Sequence, residues 1–437
     1  MKKTKTVDMV TGRPWVQLLI FSIPIFMGYL LQNMYNSVDS IVVGNFVSQQ
    51  ALASVSATSS ITMLLTGFFV GLSTGASVIF SRYYGARDYE RLKRAIHTTV
   101  SLGTILGVAV TVVGIVFSKP LLHAVGCPED VFDGAVEYLN IYIVGMLFTS
   151  LYNIAAGVLR AVGDSRSPFN SIFIASVMHI ILDVVFVRFF YMGVAGAAIA
   201  TVISQLASVA YTFVGLLRMD DRYALRVKEL CIDKELAKEV ISLGFPAGIQ
   251  MSLMSISNMF ISRYINSFGS LATSGVGAAT RIDQFVSMPS QALGLAITTY
   301  VSQNVGAKQH RRVMSGFWAS CIMSGISILV LGLPILINAE FFVRLFNQDP
   351  GVVTYGVSMM RIIIPFYVLM ALSSMLAGLL RGYGYSFQIM VISLLGMVVI
   401  RQIYLIIFMA IDWNINFVFL GYPVGWGSQV VLMVLFA

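Results

Sequence analysis

Charge is what this 437-residue sequence has least of: Asp, Glu, Lys and Arg make up 11% of it, under half of the roughly 25% found in soluble globular chains. An ordinary water-soluble enzyme is excluded. Cysteine is nearly absent, and Cys127, Cys231 and Cys321 are odd in number and far apart, which leaves neither a disulfide framework nor a metal-type spacing. No Ser/His/Asp grouping, zinc spacing or P-loop lysine motif occurs, so ATP-driven export by this chain alone is not expected. The chain reads as a non-enzyme without a cofactor.

What fills the chain is apolar, 57% of all residues. A spanning helix needs about 20 apolar residues. Apolar runs broken by charge or by Gly/Pro clusters predict twelve spans, near 15–43, 51–80, 95–118, 135–159, 168–187, 193–217, 239–265, 270–302, 313–338, 353–380, 387–410 and 414–437. They group as a first lobe over 1–217, a charged, partly helical cytoplasmic linker over 218–238 and a second lobe over 239–437. The first apolar run is too long for a signal-peptide core and is expected to stay in the mature protein. Basic residues outnumber acidic ones, 28 to 20, which in a membrane chain marks cytoplasmic loops and not a nucleic-acid partner. With the N-terminus inside, only Lys119, Arg188 and Arg344 fall in outer connections, and Arg263, Arg281, Arg361 and Arg401 fall within spans. Every other Lys and Arg lies inside. Both termini are therefore expected in the cytoplasm, in a multi-pass protein of the cell membrane.

The two halves match at one constant offset, the distance in sequence from Ser81 to Ser302. Ser81 through Arg87 falls on Ser302 through Lys308, Gly157-Val158-Leu159-Arg160 with Gly163 falls on Gly378-Leu379-Leu380-Arg381 with Gly384, and Ala53 to Ala57 falls on Ser274 to Ala278. Pro24 and Pro246 agree within one position. A duplicated six-helix unit follows. Because six is even, both copies face the same way and are related by an axis along the membrane normal, with a cleft between them; this is transporter architecture.

Charges within a span cost about 2.5–3.5 kcal/mol on insertion scales, so each one asks for a partner or a function. Away from the span ends there are three acids, Asp39, Asp183 and Asp283. Asp39 lies five residues before Gly44 and Asp183 five before Arg188, which puts both roughly 7–8 Å below the same surface at about 1.5 Å per residue. Thr201 reaches the level of His179, one turn from Asp183 on the same face, so these groups can meet. In the first span Gln32, Tyr35, Asn36 and Asp39 share one helical face, a polar stripe that must turn toward protein or a wet cavity. Asn153 joins this cavity-facing set. Pro24 lies below the stripe as a candidate hinge. The alternatives are that the two acids merely bond neighbouring helices, that His179 is a satisfied core histidine and that Pro24 is a static kink. In the second half, Asp283 is expected to pair with Arg361 or Arg401, since Arg281 is too close along the helix to face it. Should Arg281, Arg361 and Arg401 instead line the cleft, they would favour an anionic or zwitterionic headgroup. Arg263 is expected to snorkel outward.

These residues resemble the multidrug and toxic compound extrusion (MATE) family over essentially the whole chain. The resemblance is carried by Pro24, Val38-Asp39, Val43-Gly44, Gly85-Ala86-Arg87, Gly157 to Asp164, Leu182-Asp183 and Gly196 to Thr201. The second-half copies Gly306-Ala307-Lys308 and Leu380-Arg381, with Gly421-Tyr422-Pro423, add to it. It implies a V-shaped pair of pseudo-symmetric six-helix lobes that exports amphipathic organic compounds in exchange for inward protons or sodium. It further implies a cation site in the first lobe, on which Asp39, Asp183 and Thr201 match the family's positions. His179 stands where the family has an Asn. Sodium at Asp39 and Asp183 is the alternative, but hard cations prefer oxygen ligands, so proton coupling is the expectation. A second branch of the family places an acid on the seventh helix where this chain has Met254. The rival readings are a flippase for a lipid-linked saccharide or another lipid and, more remotely, an intramembrane aspartyl protease. The expected partners are a small amphipathic substrate and membrane lipids, with the chain acting as a monomer.

Overall fold

The computed structural model describes residues 6–436, apart from the side chains of residues 35–41 and of Asn45. Among the described residues every regular element is helical. Twelve long helices follow one another: α1 (Pro14–Phe46), α2 (Gln49–Gly85), α3 (Tyr89–Ala124), α4 (Glu129–Ala161), α5 (Arg166–Phe189) and α6 (Gly193–Leu217), then α7 (Lys234–Asn266), α8 (Ser270–Gly306), α9 (His310–Ile337), α10 (Pro350–Tyr383), α11 (Ser386–Ile411) and α12 (Ile415–Phe436). All twelve coincide with the spans expected from the apolar runs. Eleven are apolar enough to cross a membrane; α8, which carries Arg281 and Asp283, is the more polar twelfth and is 37 residues long. The protein is a multi-pass membrane protein.

Two features depart from the sequence pattern. A short helix, Ala339–Arg344, sits between α9 and α10, and α10 tightens to a 3-10 turn at Ile364–Phe366, where Pro365 removes a backbone donor. The connection after α6 holds only a 3-10 turn, Val227–Glu229, before α7 begins at Lys234. It is not a loose tether, because it is stitched to α3. The Lys93 ammonium lies 2.5 Å from Glu229, the Arg226 amide donates to His97 Nε2 (3.0 Å), and the Asp233 amide donates to Thr98 (3.1 Å).

The packing units divide differently from the sequence halves. One compact unit holds residues 1–8 and 23–252, the other 9–22 and 253–437. Within the first, the early part of α7 presses on α2 at glycines: a Cβ on Gly71 would sit 2.3 Å from the Ala247 carbonyl oxygen, and one on Gly75 2.3 Å from that of Leu243. In the first unit α4 packs against α2, α3 and α6, and in the second α8 packs against α9 and both parts of α10. Small residues permit these contacts, as apolar side chains gain nothing over lipid. A Cβ on Gly157 would meet the Ser73 hydroxyl at 2.7 Å, and one on Gly378 would meet the Gly294 carbonyl at 2.8 Å; the second pair is the repeat equivalent of the first.

The duplication extends to backbone conformation. Arg87 and Lys308 are both left-handed, with φ of 59° and 57°, and so are Gly163 and Gly384, at 90° and 97°. Each ends a helix with the same type of closing bond, from the amide of the next residue back across the last turn: Asp88 to Tyr83 (3.0 Å), Gln309 to Asn304 (2.8 Å), Asp164 to Leu159 (2.9 Å) and Tyr385 to Leu380 (3.0 Å). A side chain in this conformation costs about 1–2 kcal/mol. Arg87→Gly and Lys308→Gly are therefore expected to raise thermal stability in detergent by about 1 kcal/mol each. Gly163→Ala is expected to lower it, because on top of the left-handed backbone its Cβ would lie 2.2 Å from the Val7 carbonyl oxygen. An unchanged unfolding midpoint for Gly163→Ala would contradict the close approach.

Candidate functional site

Among the described residues, the most buried acid of the first unit, Asp183, is carried by α5. Asp164 starts this helix by accepting from the amides of Arg166 (3.0 Å) and Ser167 (2.9 Å) and from the Ser167 hydroxyl (2.6 Å). Ser171 then donates to the Ser208 carbonyl at 2.9 Å, fixing α5 against α6. Two turns further on, His179 Nε2 lies 3.2 Å from Thr201 Oγ1. The Thr201 hydroxyl donates to the Ala197 carbonyl (3.1 Å). Its one proton is thus committed, which leaves Thr201 Oγ1 as the acceptor and His179 Nε2 as the donor. His179 and Asp183 are fully buried and Thr201 is 3% exposed.

Immediately after Asp183, α5 widens into a π-helical stretch, Val185–Phe189. Such stretches concentrate at functional sites. The start of α6 accommodates it through small residues, since a Cβ on Gly196 would lie 3.2 Å from that of Phe186, and Ala197 and Ala198 are fully buried. The structure thus brings His179 and Thr201 together, with Asp183 one turn away on the helix. The expectations on Tyr35, Asn36 and Asp39 lie outside the described side chains. Gln32 is exposed on α1, and Pro24 sits in an unbroken α1 just past the point where that helix passes from one packing unit to the other. The Asn153 amide bonds its own helix at the Thr149 carbonyl (2.8 Å), and the Asn153 carbonyl accepts from Ser73.

In the second unit the expected ion pair of Asp283 with Arg361 or Arg401 is not formed among the described residues. Asp283 instead accepts a hydrogen bond from the buried Tyr367 hydroxyl. The physical reason is the way each helix is turned. Arg361, like Arg281, is exposed. Arg401 runs its stem over Gly421 and Gly425 of α12, where added Cβ atoms would come within 3.8 and 3.3 Å of it, and it directs its head toward α7. There Nη2 donates to Ser257 and, at 3.4 Å, to Asn258 Oδ1. The Ser257 hydroxyl itself donates to the Met397 carbonyl at 2.6 Å. Arg401 is 1% exposed, and its Nε and Nη1 have no hydrogen-bond partner among the described residues. Its guanidinium lies 5.8 Å from the centre of the Tyr422 ring. Tyr422 packs on Trp426 (6.1 Å), which packs on Tyr367 (5.9 Å), so three rings separate the base from the acid. Sequence reasoning missed Tyr367, Trp426 and Ser257. The spacing of Gly421, Tyr422, Gly425 and Trp426 was the one available signal of a packing face on α12. Arg401 also directly follows a π-helical stretch, Leu394–Ile400, in the helix equivalent to α5.

A family model, MatE, matches residues 24–185 and again 246–407. The chain belongs to the MatE family. The two matched segments begin at Pro24 and Pro246, as a duplicated unit requires. The probable multidrug resistance protein YpnP of Bacillus subtilis is 31% identical over 93% of this chain and 91% of its own length. The multidrug export protein MepA of Staphylococcus aureus is 24% identical over 89% and 86%. A solved structure described as the outward-facing conformation of a multidrug resistance MATE family transporter superposes over 100% of this chain and 98% of its own, with TM-score 0.92 at 22% identity. The MATE fold thus accounts for the whole chain.

Because Arg401 carries a buried charge held by neutral groups alone, Arg401→Met is expected to leave the thermal stability of this MATE protein unchanged or raised. Ser257→Ala, which strips one of those groups and leaves the charge in place, is expected to lower it by about 1–3 kcal/mol. Melting curves of the two purified variants check this, and the reverse order would make Arg401 a structural pin.

Proposed function

We propose that this MATE family member is a secondary active exporter that exchanges an amphipathic organic compound for inward-moving protons by alternating access, with Asp183 and Asp39 as the proton carriers. The observation that carries this reading is the fully buried Asp183 one turn along α5 from a fully buried His179 whose Nε2 lies 3.2 Å from Thr201 Oγ1. The names of the relatives, multidrug resistance and multidrug export proteins, support an amphipathic organic cargo.

A carboxylate in hydrocarbon costs about 2.5–3.5 kcal/mol, and protonation removes that charge. A state that buries Asp183 is thereby favoured when the acid is protonated, and a state that hydrates it is favoured when it is ionised. This is the differential affinity that a population shift needs. The π-helical stretch beside Asp183 gives α5 a local irregularity at which its hydrogen-bond ladder can be re-formed. The imidazole supplies a ring nitrogen, not an anionic oxygen, at the place where a sodium ion would want a hard ligand. Thr201, already committed to Ala197 and His179, is a poor ligand for a cation in this arrangement.

The test is transport in proteoliposomes under an imposed pH gradient, with and without sodium. Uphill movement of an amphipathic cation is expected to follow the pH gradient alone. Asp183→Asn and Asp39→Asn are each expected to slow it by at least about tenfold, a loss of about 1.4 kcal/mol in driving or barrier terms, while leaving thermal stability near wild type. Transport driven by sodium alone, or uphill transport surviving in both variants, would overturn the proposal.

A further inference from the structure

The second unit holds a cavity of about 590 Å³ lined by the short helix Ala339–Arg344, the first part of α10 and the start of α12. That volume is in the range of ligand pockets. Its polar lining is basic on balance: Arg344, Arg361 and a single carboxylate, Glu340, with Ser358, Thr354 and Asn416. Glu340 is already used, since one of its oxygens accepts from both Nε (3.0 Å) and Nη2 (2.8 Å) of Arg344. Ser358 donates to Asn416 Oδ1 at 2.8 Å, bridging α10 to α12. Arg361, exposed on the next turn of α10, forms no ion pair among the described residues. One positive charge is thus left over in a cavity that also offers hydroxyl and amide groups.

The cavity's height in the membrane follows from its neighbours. The connections α7–α8, α9–α10 and α11–α12 emerge at one membrane surface, and Phe268 near the first stacks on Trp413 of the last at 5.7 Å. Around the same end, Phe341, Leu345 and Trp413 are 60%, 64% and 58% exposed. Exposed aromatic and aliphatic side chains beside arginines are the pattern of the interfacial belt, where acyl chains end and phosphates begin.

We propose that this cavity binds the phosphodiester of an anionic phospholipid, with Arg361 and Arg344 on the phosphate and the acyl chains lying over Phe341 and Leu345. Charge decides the class: a net anionic lipid neutralises the surplus guanidinium, and arginine takes phosphate oxygens in pairs. The apolar rim decides against a free ion, which leaves that surface uncovered. The site is independent of proton coupling and is tested without transport.

The experiment titrates the purified protein in an uncharged detergent with short-chain phosphatidylglycerol, short-chain phosphatidylcholine or inorganic phosphate, reading the thermal unfolding midpoint. A saturable rise is expected with phosphatidylglycerol alone. Arg361→Gln is expected to raise the half-saturating concentration at least about tenfold. Thr354→Trp, which fills the cavity and keeps both arginines, is expected to do the same, so a folding defect in one variant does not decide the matter. An equal response to inorganic phosphate would make this a simple anion site and overturn the lipid assignment; an equal response to phosphatidylcholine would overturn the role of net charge. Wild-type lipid response in both variants would remove the site altogether.

Discussion

Hydrocarbon offers no hydrogen-bond partner, and that constraint governs every level of this fold. Backbone groups close into helices because nothing outside can satisfy them. Many hydroxyls are satisfied within their own helix, as when Thr74 donates to Val70, Thr99 to Ala95, Ser204 to Ala200 and Thr298 to Gly294, all at 2.7–2.8 Å. Those groups add nothing to specificity between helices. Specificity falls to the few polar groups that reach across, such as Ser290 to Ser324 (2.7 Å) and Gln429, which bonds both Ser373 and Ser393 at 2.6 Å. It falls also to the glycines that let two backbones approach.

The same constraint makes buried ionisable groups informative. His179 with Thr201, Asp283 with Tyr367 and Arg401 with Ser257 all sit where neutral, well-packed residues would cost less. Two of the three lie beside π-helical stretches, and those stretches fall in α5 and α11, the same helix of each repeat. A widened turn frees part of the helix ladder and changes the direction of the side chains next to it. The duplication has therefore kept an irregular helix in both copies.

The helices, the repeat and the approach of His179 to Thr201 were legible because they depend on quantities that run along the chain: apolar length, a constant offset between the halves, and depth counted in helical turns. Depth along a helix is readable from a sequence; rotation about its axis relative to a neighbour is not. That is why Asp283 was assigned to the arginines of α10 and α11, which it matches in charge, when the turn of α10 presents Tyr367 to it. Arg401 escaped for a related reason. Charge counting predicts a carboxylate partner, whereas Gly421 and Gly425 guide the side chain away from Asp283 and toward Ser257. The short helix Ala339–Arg344 and the π-helical stretch Val185–Phe189 carry charges that read as the ends of spans, and the stretch Leu394–Ile400 is as apolar as its surroundings.

Equivalent caps with unlike charges set the division of labour between the two copies. The four left-handed helix ends repeat faithfully because they concern the backbone alone, and the backbone is what a duplicated fold must preserve. The ionisable residues of the equivalent helices have diverged in sign, Asp183 in α5 and Arg401 in α11. At an effective dielectric of about 20, a unit cation brought within about 6 Å of a guanidinium meets a repulsion of about 3 kcal/mol. The surroundings of Arg401 therefore disfavour a coupling cation, and on the proposed reading the proton must use the first unit.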